Sequence, residues 1–154
     1  MNWEDLKKHV YYQDGSLRDI YVRNISSEDW KSWANFVNAN FLVEFKIGNF
    51  HSSDKIHFDT VVDYWSKSDQ ESRSASICLG HITVKTYFFV DNELESDITP
   101  TEIHSLVDHL KLVEYLKNVS ELLGRPVEMT EEKYNEPCEV LMIVKGEEVV
   151  FPWM

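Results

Sequence analysis

Two stretches of this chain carry the period of a helix, and nearly everything between them carries the period of a strand. That division limits the fold more than any other feature. After Ser26-Ser27, with Asp29 in the capping-box position, Trp30, Trp33, Ala34 and Val37 recur at three- and four-residue steps. After Ser105, the apolar set Leu106, Leu110, Leu112, Val113, Leu116, Val119 and Leu123 spans nearly half a helical circumference. Gly124 and Pro126 then stop it. The spacing predicts two principal helices, over about 27–40 and 105–124, the second packing its whole apolar set against a sheet. A short helix over about 59–67, capped by Asp59, carries Val61, Val62, Tyr64 and Trp65.

The rest reads as short strands separated by single glycines. Residues 9–12 and 17–22 flank Asp14-Gly15, a step that suits the positive-φ positions of a tight hairpin. Segments 41–47 and 55–58 read as strands, 76–79 and 83–90 as a hairpin around Gly80-His81, and 127–129 as a short strand. Segments 140–144 and 149–151 form a last hairpin around Gly146, while 66–74 and 130–139 are polar loops. The expected fold is α+β, a mostly antiparallel sheet packed against two principal helices and the short one. At 154 residues it forms a single globular domain, 1–154, with no need of a disulfide or metal.

Acid is spread unevenly over this frame. The net charge is −12, and residues 91–154 hold fifteen Asp/Glu against five Lys/Arg. Asp91, Glu93, Glu95 and Asp97 alternate, so an extended segment places all four carboxylates on one face. Neighbours ~6.7 Å apart repel by about 0.6 kcal/mol per pair even at the dielectric of water. Such a row is either an edge strand guarded by charge or a docking face for a basic partner. Glu131, Glu132 and Glu136 in the late polar loop extend the field if the fold gathers them. Trp153, after Pro152, is the tryptophan expected to be most accessible.

Charge and motifs narrow the function classes. An acidic chain lacks the clustered Lys/Arg that phosphate contacts need, so nucleic acid and anionic membrane surfaces are not expected partners. Cys78 and Cys138 fit free thiols in a reducing, cytoplasmic setting, Cys78 the more buried. There is no GxSxG elbow, phosphate-binding glycine loop or CxxC pair, so no catalytic residue, metal or cofactor is expected. No two histidines are spaced i, i+4, although His104 and Asp108 can meet across the second helix cap. The expectation is a binding protein rather than an enzyme, one that sequesters a basic protein partner such as a toxin. This is the general character of a bacterial immunity or antitoxin-type inhibitor. The alternative is a small hydrolase or ligand-binding enzyme with a pocket beside the long helix.

Overall fold

The computed structural model describes residues 1–49, 51–67, 71–132 and 138–154. Both principal helices form where their caps place them. α2, Ser27–Asn40, begins with a complete capping box: Ser26 Oγ accepts from the Asp29 N–H at 3.1 Å, and Asp29 Oδ2 accepts from the Ser26 N–H at 3.0 Å. α4, Leu106–Leu123, ends on Gly124 at φ +64°, whose N–H closes the last turn on the Ser120 carbonyl. α3, Phe58–Ser66, starts one residue before the expected position. His57 is its N-cap, and Asp59 lies in the first turn.

The start of the chain corrects the predicted hairpin. Residues 9–12 pair with nothing in the sheet, and α1, Trp3–His9, stands there instead, capped by Asn2 Oδ1 on the Asp5 N–H at 2.9 Å. Its first turn is acidic and its last turn basic, as the helix dipole favours. β1, Arg18–Arg23, follows. Arg18 is fully buried, and its guanidinium donates to the carbonyls of Val10, Tyr12 and Leu17. These donors satisfy carbonyls that a hairpin partner would have taken. Both edges of β1 are already occupied.

β2, Leu42–Ile47, and β3, His51–Ser53, come next; the predicted strand at 55–58 is absent. There Asn38 clamps Ile56 from both sides, donating to its carbonyl at 3.0 Å and accepting from its N–H at 2.8 Å. β4, Arg73–Leu79, β5, Ile82–Val90, and β6, Glu93–Ile98, form a meander, and a single 3-10 turn over Pro100–Glu102 leads to α4. β7, Val127–Glu131, β8, Val140–Lys145, and β9, Glu148–Val150, complete one antiparallel sheet of nine strands. Its order is β3-β2-β4-β5-β6-β1-β7-β8-β9, so β6 is its middle strand.

One face of this sheet is the core. Val43, Phe45, Ile77, Val84, Phe88, Leu94, Ile20, Val22, Met129 and Met142 point there and join the buried sides of the helices in one cluster. Trp30 and Trp33 are wholly buried against Phe88, with ring centroids 5.0 and 6.0 Å away. Burying a side chain of this size contributes on the order of 2–3 kcal/mol. The other face carries the alternate residues; among the described residues no helix packs on it, yet Asp19, Tyr21 and Thr130 there are buried. α4 departs from expectation at its first turns, where Leu106, Val107 and Leu110 remain exposed. Asp108 and His109 turn inward instead.

Candidate functional site

β-Pairing fixes a lattice at the centre of the helix-free face. Lys85 on β5 stands opposite Asp97 on β6, which stands opposite Asp19 on β1, which stands opposite Thr130 on β7. The next row runs Tyr87, Glu95, Tyr21, Glu128, and the one beyond pairs Val90, Glu93 and Arg23. Among the described residues, five carboxylates and two cations share this patch. The alternation of Glu93, Glu95 and Asp97 on one face is as expected, but Asp91 lies in the β5–β6 turn and does not join them. The edge-strand reading is overturned, because both sides of β6 are paired.

The charges divide unevenly. Arg23 bridges Glu93 at 3.6 Å and also contacts Glu128, so one cation partly offsets the two carboxylates at the outer end of the patch. Its guanidinium also covers the Tyr21 ring, 4.6 Å from the centroid. The inner end holds Asp19, Glu95 and Asp97 with Lys85 beside them. Burial raises the Asp97 carboxyl above its ordinary range, and the Asp19 and Glu132 charges push it the same way. The Tyr87 hydroxyl, donating to Asp97 Oδ2 at 2.8 Å, and the Lys85 charge oppose the rise without cancelling it. Tyr21 donates to Asp19 and Glu95, each at 3.4 Å. Burial and these carboxylates hold both phenols protonated, so they remain donors. Like charges directly opposite across a ladder destabilise it, and here Asp19 and Asp97 are such a pair.

The other predicted residues are placed differently. Glu131 accepts from the Tyr12 hydroxyl and from the Glu139 N–H at 3.2 Å, and Glu132 accepts from the Leu17 N–H at 2.7 Å. Both tie the segment before β1 to the end of β7, and Glu132 adds its charge to Asp97. Glu136 lies outside the described residues. Trp153 is half-buried: it donates to the Leu141 carbonyl at 2.8 Å and stacks on His9, 4.5 Å between centroids. Phe89, which sequence reasoning passed over, is 54% exposed and stacks on Tyr87 beside the carboxylates. Cys78 and Cys138 are free and both half-buried, so the expected contrast between them does not appear.

A second constellation forms at the N-terminus of α4. His104 and Asp108 meet across the cap: the His104 N–H donates to Asp108 Oδ2 at 2.8 Å, and His104 Nδ1 lies 4.0 Å from the same oxygen. His81, in the β4–β5 turn, brings Nε2 to 3.0 Å from it, and its ring stacks on that of His104. Burial acts to raise the Asp108 carboxyl, but the His104 N–H and the His81 and His104 side chains together hold it below its ordinary range. Among the described residues this is the one His/Cys/Asp/Glu group whose donor atoms converge closely enough for a metal ion. Alongside runs an apolar depression of about 530 Å³ lined by Phe41, Leu79, Val107, Leu110, Lys111 and Glu114, among others. His81 escaped sequence reasoning because it joins the pair only through the fold; the local signal was the i, i+4 spacing of His104 and Asp108.

Fold and face together define an α+β protein with helices over one side of an antiparallel sheet and an acid-rich lattice on the other. No protein-family model, curated protein or solved structure matches the chain.

Proposed function

We propose that this chain is a binding protein whose acidic sheet face docks a basic protein partner through its half-buried Glu93, Glu95 and Asp97, neutralising it as an immunity or antitoxin-type inhibitor does. The observation that carries the reading is the position of Glu95 and Asp97. They sit half-buried in the middle of the sheet, where edge protection is not needed, and Asp97 faces Asp19 at a cost to ionisation. Carboxylates that served solubility alone would be better solvated. An arginine or lysine from a partner adds a counter-charge beside the half-buried Glu95 and Asp97, whose carboxylates Tyr21 and Tyr87 already orient. The net charge of −12 steers a basic molecule toward the protein, and exposed Phe89 offers an aromatic anchor beside the charged patch.

The test uses fluorescently labelled nona-arginine as the basic probe. Glu95→Gln/Asp97→Asn should weaken binding by about tenfold or more, since these charges lie within the proposed contact. Glu147→Gln/Glu148→Gln removes the same charge from the β8–β9 hairpin and should change affinity less than about twofold, as rim charges do. Equal losses for the two pairs would show that binding follows net charge and not this face.

The depression beside α4 favours a second reading, a ligand-binding site for a small apolar molecule. Exposed Val107 and Leu110 form one wall, with Lys111 and Glu114 as polar groups at the rim. Enhanced fluorescence of an anilinonaphthalene sulfonate probe, abolished by Leu110→Lys, is the expected sign.

A further inference from the structure

The acidic face does not use the histidines of the β4–β5 turn and the α4 cap, and their geometry leads elsewhere. Two imidazoles and a carboxylate on one small region are the donor set of zinc and related first-row divalent ions. Bonds of about 2.0–2.2 Å to a tetrahedral ion place any two donor atoms about 3.3–3.6 Å apart. His81 Nε2 and Asp108 Oδ2 are 3.0 Å apart, and His104 Nδ1 and Asp108 Oδ2 are 4.0 Å apart. All three donor atoms fall within 4.8 Å of one another, so a ring movement on the order of 1–1.5 Å completes the set. That shift is cheap, because the His81 and His104 side chains are 49% and 65% exposed and stack against each other, with no core packing to disturb.

The carboxylate is the fixed member. Asp108 is buried, its Oδ2 is held by the His104 N–H, and its own N–H donates to the cap Ser105 Oγ at 3.4 Å. The backbone N–H plays the part of an outer-shell group that orients a ligand before the ion arrives. We propose that His81, His104 and Asp108 bind one divalent transition-metal ion of the zinc class. The ion would join the β4–β5 turn to the first turn of α4. Three protein donors leave a fourth position open to solvent, the pattern of a site that exchanges its remaining ligand and not of a closed structural centre. Lys111 is the nearby opposing charge: its Nζ approaches Gly80, next to His81, and its exposed side chain is free to swing away.

The experiment titrates the full chain with zinc chloride by calorimetry, and with cobalt(II) by visible absorption. A parallel series follows the imidazole resonances by NMR. The expected result is one ion per chain, with the His81 and His104 resonances shifting together. His81→Ala and His104→Ala should each lower affinity at least about tenfold, since even losing an outer-shell partner costs 10–100-fold. His51→Ala, an exposed histidine on β3, should bind as the parent does. Both tested histidines are exposed, so circular dichroism of the variants should match the parent. Zinc should raise the melting temperature of the parent more than that of His81→Ala at the same concentration. Undiminished binding by His81→Ala and His104→Ala would overturn the proposal, as would no binding to the parent at millimolar zinc.

Discussion

Arg18 shows how one side chain redirects a segment that reads locally as a strand. Fully buried, it donates to three carbonyls of the segment after α1 and lies 4.1 Å from the centre of the Tyr12 ring. Arg18→Ala leaves those acceptors without their donor, so unfolding in urea should show a loss of about 3 kcal/mol. Arg18→Lys should recover little of it, because an ammonium cannot reproduce the fork. His109 is the second residue with a measurable consequence. Its Nδ1 lies 2.6 Å from the Tyr11 hydroxyl; burial, aided by the N-terminal charge, lowers its pKa from 6.5 to about 4. Burial also keeps Tyr11 protonated, so the phenol donates and the imidazole stays neutral. The unfolded chain takes up a proton as pH falls through 6.5, and the folded one does so only near 4. Stability is therefore full above 6.5 and falls between these values. From pH 7 to 5 the parent should lose about 2 kcal/mol more than His109→Phe, measured by urea unfolding with a chelator present. Equal losses would show that His109 is not the group responsible.

Among the elements, the caps carry testable weight. Ser26→Ala removes the acceptor of a complete capping box and should cost about 1 kcal/mol of thermal stability. Strand β6 makes the opposite prediction. Its Asp97 carboxyl is raised, chiefly by burial, so ionisation destabilises the folded state at neutral pH, and Asp97→Asn should raise the melting temperature there. The gain should vanish below the ordinary carboxylate pKa, where the parent is protonated in both states. A variant no more stable than the parent at pH 7 would contradict the strained-carboxylate account. These elements also show what a sequence discloses. α2 and α4 were legible because caps, apolar period and the Gly124 stop are local signals. α1 had local signals too, Asn2 before Glu4-Asp5 with Leu6 and Val10 on one stripe, but Asp14-Gly15 suggested a hairpin that β6 and β7 forestall by taking both edges of β1. The alternation of Glu93, Glu95 and Asp97 was readable; their place in the middle strand was not, since it depends on pairing with β1, some seventy residues earlier.

For the whole molecule, the arrangement separates tasks by face. Helices and aromatic rings fill one side of the sheet, the other gathers the carboxylates of the proposed docking face, and the His81–Asp108 cluster lies at the head of α4. Long-range attraction in such a system weakens with salt, as the Debye length falls from ~10 Å at 0.1 M to ~3 Å at 1 M. The most direct measurement of the docking claim is a ¹⁵N-resolved titration of the full chain with unlabelled nona-arginine at 0.15 M salt. The account predicts that the largest amide shifts fall on Asp19, Tyr21, Tyr87, Glu95 and Asp97, with small changes at Glu44, Glu121 and Glu148. Shifts spread evenly over every acidic residue, or centred away from β6 and β1, would contradict it.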